Sequence, residues 1–202
     1  MKKIQTMTLT AFTVFTLGAL ASAAFGASEW LTNGAAITSA RVVKTKWVMK
    51  FSDSKGGIFG EKVEIECFGT DEGTSGPGTS GKITKWTVTS CKEITVSICP
   101  ADATAVHMPW NTKLVLVGEK WRDDIENSGA GAPGWNITCP GLIEDECTGE
   151  TSTEPRNVTG GVESVFDGKS AKLNCSRGGT GAGAVLGTDL NENPSGEFLT
   201  VS

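Results

Sequence analysis

The chain has 202 residues, 38% apolar and 20% charged, with 26 Gly and 7 Pro, a balance that excludes a collagen-like or low-complexity chain and fits a turn-rich globular protein. Eighteen Lys+Arg against 23 Asp+Glu leave a formal charge of −5, a poor match for nucleic acid, whose binding draws on clustered positive charge. One His and no Tyr make two common proton-transfer residues scarce.

Lys2 and Lys3 precede an uncharged run over residues 7–25 that ends in small residues, Ala21-Ser22-Ala23-Ala24-Phe25-Gly26-Ala27. A basic start, an apolar middle and an A-x-A-like end read as a secretory signal peptide over residues 1–26. Cleavage after Ala23 and after Gly26 fit equally. A retained anchor helix is the competing reading; the run is long enough, but its small residues and Thr make it weakly hydrophobic. Removing 26 of 202 residues, with two Lys and no acid, leaves 176 residues with 16 basic and 23 acidic groups, a charge of −7. No later stretch approaches the ~18 apolar residues of a membrane span, and a chain without Tyr lacks the aromatic girdles of an outer-membrane barrel. Residues 27–202 therefore read as one secreted, extracellular domain with no membrane span after cleavage.

The mature chain alternates like a strand protein. Val43, Thr45, Trp47, Met49 and Phe51 form one face, with Lys44, Lys46 and Lys50 on the other. Val63, Ile65 and Cys67 alternate with Lys62, Glu64 and Glu66. Residues 83–91 follow, with an apolar phase slip between Ile83 and Trp86 that marks a bulge. Further strands are expected at 94–98, 113–120 (a central strand buried on both faces), 135–139, 142–147, 161–166, 171–175, 183–190 and 197–201. Residues 121–127 are the best helical stretch, and 69–81, 128–134, 149–160 and 176–183 read as Gly/Ser/Thr-rich loops. About ten strands with regular turn signals predict an all-β chain, a single disulfide-stapled antiparallel β-sandwich or barrel.

The six Cys (Cys67, Cys91, Cys99, Cys139, Cys147 and Cys175) all lie in the exported part, where an even count reads as disulfides before metal ligands. No CxxC or paired-His spacing supports zinc. Of about 15 pairings, the spacing favours Cys91–Cys99 and Cys139–Cys147, eight positions apart in each case, with Cys67–Cys175 joining early and late chain. The runner-up is Cys67–Cys91, which sends Cys99 to a distant partner. Cys67, Cys139 and Cys175 fall in phase with apolar residues, so their sulfurs are expected in the core.

Several phrases resemble those of uncharacterised secreted proteins common in actinobacteria: Glu29-Trp30-Leu31-Thr32-Asn33-Gly34, Cys67-Phe68-Gly69-Thr70-Asp71-Glu72-Gly73 with Gly76-Pro77-Gly78, Met108-Pro109-Trp110, Pro133-Gly134-Trp135 and Asn174-Cys175-Ser176. Met108 stands where Leu is more usual in that family. The resemblance implies secretion and a β-rich fold, and no activity.

Chemistry finds little purchase. His107, the single His, sits at a strand entrance and reads as structural; there is no G-x-S-x-G phrase and no free thiolate is expected. Paired carboxylates (Asp71 with Glu72; Asp123 with Asp124 and Glu126; Glu144 with Asp145 and Glu146) would serve a glycosidase, although adjacent acids are more often solvated turn residues. Asp124-x-Glu126-x-Ser128-Gly129 and Asp189-x-Asn191-x-Asn193 are partial calcium patterns; structural calcium is the only cofactor entertained. Trp47, Trp86 and Trp135 read as core, while Trp110 and Trp121 flank a strand and are the surface candidates for stacking on a sugar or anchoring a partner. The sequons at Asn136, Asn157 and Asn174 are discounted, because the signal peptide looks bacterial. The expected function is an exported, non-catalytic binding or structural protein of the cell exterior, facing an envelope glycan or protein through Trp110, Trp121, Asp71 and Glu72. The alternative is a secreted carbohydrate-active hydrolase using paired carboxylates; an inhibitor or toxin-like effector is a third option.

Overall fold

A computed structural model describes residues 29–53, 63–93, 101–140, 143–167, 172–176, 182–192 and 199–202, the backbone alone over 182–192. The signal-peptide reading of 1–26, the strand expected at 94–98 and Cys99 lie outside the described residues. The described chain is all-β: β1 (Trp30–Thr32), β2 (Ala35–Ala36), β3 (Arg41–Asp53), β4 (Val63–Ser75), β5 (Ser80–Glu93), β6 (Asp102–Val106), β7 (Trp110–Val117), β8 (Lys120–Glu126), β9 (Gly134–Cys139), β10 (Ile143–Val158), β11 (Gly161–Asp167), β12 (Lys172–Cys175), β13 (Ala182–Glu192) and β14 (Leu199–Val201). The small sheet runs β14-β1-β2, and the large antiparallel sheet runs β11-β13-β3-β4-β5-β7-β8-β10-β9-β6, with β12 on β10 and β13 and a further β10–β11 pairing.

The large sheet is no even cylinder. Its β5–β7 and β8–β10 junctions span only a few residue pairs, Ser80–Ile83 on Trp110–Lys113 and Asp123–Ile125 on Thr151–Thr153. β10 and β13 each pair with strands on both sides of a fold-over. Two layers result, and Trp135 of β9 shows how they face each other. Its ring meets Phe51 at 5.5 Å, Trp86 at 5.8 Å, Trp110 at 5.3 Å and Phe166 at 6.4 Å, rings carried by β3, β5, β7 and β11. Trp47 stacks on Trp86 at 4.4 Å, completing an aromatic centre where offset and edge-on rings add to area burial.

Alternation along four strands spells a layered interior. On β3, Val43 enters one apolar cluster, Trp47 the other, and buried Thr45 lies between. β7 repeats this with Leu114, Thr112 and Trp110, β8 with Trp121, Asp123 and Ile125, and β11 with Val162, Ser164 and Phe166. A belt of hydroxyls and carboxyls thus separates the Trp-rich core from a smaller core closed by Trp30, Leu199 and Val201 of the small sheet. Asn157 pins that sheet, its amide bonding Val201 N and O at 2.9 Å each.

The outer face of β3–β4–β5 carries charge in register. Lys44, Glu72 and Lys85 are cross-strand neighbours, as are Lys50, Glu66 and Lys92. In each row the central carboxylate bridges both amines, Glu72 at 3.1 and 3.8 Å and Glu66 at 3.7 and 2.5 Å. The hydrogen bonds from Lys92 and Lys44, respectively, hold Glu66 and Glu72 below the usual carboxylate range.

Several expectations are corrected. The favoured disulfides do not form: Cys67 joins Cys91, as in the runner-up pairing, and Cys147 joins Cys175. Each pair sits directly opposite in its ladder. Residues 69–81 are mostly strand, since β4 and β5 run on to a turn at 76–79. Glycine misled there: Gly69 lies within β4 because a Cβ would fall 2.2 Å from the Trp47 ring and from the Thr87 carbonyl oxygen. Residues 149–158 belong to β10, and 121–126 are strand, not helix. The strand expected to be buried on both faces is a half-buried hairpin arm whose Leu116 and Val117 are exposed. The bulge is where the phase slip put it: Glu72 faces Lys85 and Gly73 faces Ile83, leaving Thr84 extra.

Non-reducing peptide mapping is expected to link Cys67 to Cys91 and Cys147 to Cys175, with neither joined to Cys99 or Cys139. Replacing both members of either bridge by Ala should cost about 3 kcal/mol in urea unfolding, given loops of this length. Gly69→Ala should cost about 2–3 kcal/mol by overpacking against Trp47, read by the same titration.

Candidate functional site

β10 serves both layers: Ile143–Thr148 pairs with β9, Thr151–Thr153 with β8 and Glu154–Val158 with β11. At the crossing, β8 and β9 are parted by the loop 127–133, and a groove of about 590 Å³ opens. That is the size range of small-ligand sites. Ile125, Ala132 and Pro133 give it an apolar wall. Arg122 clamps Asp124 through two hydrogen bonds of 2.6 and 2.9 Å, which raises the guanidinium's already high pKa. Glu126 and Glu150 have no ion-pair partner among the described residues. Thr151, only 3% exposed, is among the lining residues, and its hydroxyl oxygen is buried without a hydrogen-bond partner.

The loop bordering the groove is held by short-range hydrogen bonds. Asn127 Oδ1 accepts from Gly129 N at 2.5 Å and Gly131 N at 3.2 Å, and Ser128 Oγ donates to the Pro109 carbonyl. His107 Nδ1 donates to Ala132 O at 2.8 Å, and Gly149 N to Pro133 O at 2.9 Å. Gly131 takes φ +134°, and a Cβ there would fall 2.8 Å from the His107 ring. Next to the groove, a smaller pocket of about 190 Å³ contains Trp121 and shares Arg122 and Ser152 with it. Glu154 on its rim is held below the usual carboxylate range by the Arg156 hydrogen bond first, then by Lys120.

The polar belt lines a further, smaller cavity of about 60 Å³. Thr45 Oγ1 donates to Asp71 Oδ1, and the Thr112 hydroxyl hydrogen-bonds the Asp123 carboxyl. Burial pushes Asp123 up to about 7 against the pull of the Thr112 hydrogen bond, with smaller upward contributions from Asp124 and Glu126.

The expected site residues do not converge. Trp110 is 0% exposed and belongs to the core, so it can stack on no ligand. Trp121 packs partly against the smaller core and keeps an edge in the 190 Å³ pocket. Asp71 points into the belt, whereas Glu72, its neighbour on β4, faces outward between Lys44 and Lys85, so the pair forms no shared site. Asp123 is likewise split from Asp124 and Glu126 by the pleat. Asp145 is buried and accepts a 2.5 Å hydrogen bond from Ser176, while Glu144 and Glu146 are exposed. It lies within 4.8 Å of the Cys147 and Cys175 sulfurs, which are bonded to each other and offer no thiolate to a metal. In the first calcium pattern Asp124 is committed to Arg122 and Ser128 to Pro109; Asn193 of the second lies outside the described residues. Thr151 and Glu150 went unnoticed because their segment read as a loop. Comparison with family models, curated proteins and solved structures gives no match.

Asp123 sets a pH dependence. Folded, it keeps its proton up to about pH 7; unfolded, it releases it near the ordinary value of 3.8. Stability therefore falls as pH rises from about 4 to about 7 and levels off above. In chelator-containing buffer, Asp123→Asn should remove that fall, gaining about 2–4 kcal/mol over the parent near pH 8 and almost nothing near pH 4, in urea titrations across pH.

Proposed function

We propose that the chain is an exported protein of the cell exterior, released from residues 1–26, that binds an envelope glycan through the groove at the β10 crossing and performs no chemistry on it. The single observation carrying this reading is the groove itself. It joins an apolar wall, a fixed Arg122–Asp124 pair, short polar side chains and an adjoining pocket with a Trp edge. Sugars are held by this mixture, with ring faces on apolar or aromatic surface and hydroxyls on short polar groups. Two cross-strand disulfides support an oxidising compartment. The kinship with secreted actinobacterial proteins belongs to the same reading.

A hydrolase would draw on Glu126 and Glu150. Asp124 is neutralised by Arg122, and Asp123, the carboxylate raised to about 7, faces a 60 Å³ cavity too small for a sugar ring. The exported protein is expected to begin at Ala24 or Ala27 by N-terminal sequencing. It should sediment with insoluble cell-wall polysaccharide, release no reducing ends, and lose about tenfold in affinity with Arg122→Ala, a change of about 1.4 kcal/mol. Folded protein that is never retained refutes the binding reading; reducing ends released by the parent and lost in Glu126→Gln or Glu150→Gln establish the hydrolase.

A further inference from the structure

We infer that the cavity in the polar belt is a site for one hard divalent cation of the calcium class, held by Asp71 and Asp123 with the hydroxyl oxygens of Thr45, Thr112 and Ser164. These five residues come from β4, β8, β3, β7 and β11 and line the same small cavity. An all-oxygen set with two carboxylates is the donor chemistry of calcium, and it excludes the nitrogen and sulfur preferences of zinc or copper.

Three observations point to an occupant. Asp123 Oδ1 is buried with no hydrogen-bond partner, and a buried polar oxygen is costly unless something pairs with it. The Thr45 and Thr112 hydroxyls are hydrogen-bonded to the two carboxyls, so their oxygen lone pairs remain for a metal. Trp30, 4% exposed, lines the cavity, and its buried indole N–H lacks an acceptor. A water completing the metal's shell accepts from that N–H, and about 60 Å³ has room for an ion and such a water. The basic residue on the cavity wall, Lys82, is exposed. Two carboxylates facing one cavity are balanced by a single doubly charged ion. The site differs from both calcium patterns of the sequence and does not depend on the groove.

The test uses the full folded domain stripped with a chelator, then titrated with calcium chloride, magnesium chloride or sodium chloride in calorimetry and thermal unfolding. Calcium should bind with one-to-one stoichiometry and raise Tm by about 5 °C or more at a hundredfold excess over Kd. Magnesium, which demands a tighter octahedral shell, should bind at least tenfold more weakly. Asp123→Asn, nearly isosteric, should fold with an unchanged circular dichroism spectrum and lose the calcium response. Terbium in place of calcium should luminesce on tryptophan excitation, less so in Trp30→Phe. Absence of saturable calcium binding by folded protein, an equal Tm rise with sodium at matched ionic strength, or calcium binding unaffected by Asp123→Asn would each overturn the assignment.

Discussion

The constraint on which the rest of this fold depends is the polar belt between its two cores. In an ordinary half-buried sheet, a slip of one residue turns the apolar set to solvent, but a slip of two restores inside and outside. Here a slip of two is also penalised. It would carry Thr45 of β3 or Asp123 of β8 out of the belt and into an apolar cluster, where an unpaired polar group costs several kcal/mol. Four strands spelling apolar-polar-apolar therefore fix register absolutely, and Trp47, Trp110, Ile125 and Phe166 reach one core together.

That belt also explains what could be read in the sequence and what could not. The alternation of β3 was plain because Thr45 is small and follows a β-branched pattern, and the phase slip between Ile83 and Trp86 located a real bulge. Residues 121–126 looked helical because Asp123, an inward residue, is charged in sequence; its strand phase appears only once the belt is known. Glycine misread as loop has a different root. Gly69 lies in a strand because Trp47 occupies the space its side chain would fill. Disulfide pairing failed for a geometric reason: Cys67 and Cys91 are 24 apart in sequence yet face each other across a long hairpin, so short spacing was a poor guide to distance.

The candidate groove was illegible for a different reason. Its residues come from β8, the loop after it and the middle of β10, and none of these segments carries a motif alone. What unites them is a strand changing layers, a property of topology. Sequence pairs such as Asp71 with Glu72 were separated by the pleat, which sends adjacent residues to opposite faces. Only Trp121 of the expected binding residues reaches the neighbourhood of the groove, and it does so with a partly buried ring.

Cross-linking and site are coupled through β10. The Cys147–Cys175 bridge holds β10 against β12 immediately before the crossing, with Thr148 and Gly149 still paired to Asn174 and Leu173. Glu150 and Thr151, which line the groove, follow within a few residues, and Gly149 is tied to Pro133 on the opposite wall. The other bridge, Cys67–Cys91, steadies the β4–β5 hairpin that carries Asp71 into the belt. Each disulfide thus anchors a wall of one of the two sites. Both bridges are packed into the Trp-rich core, where Cys67, Cys147 and Cys175 are buried, so reduction would loosen the β10 crossing and the core together. The oxidised state of these cysteines is in this sense a condition of the groove's shape.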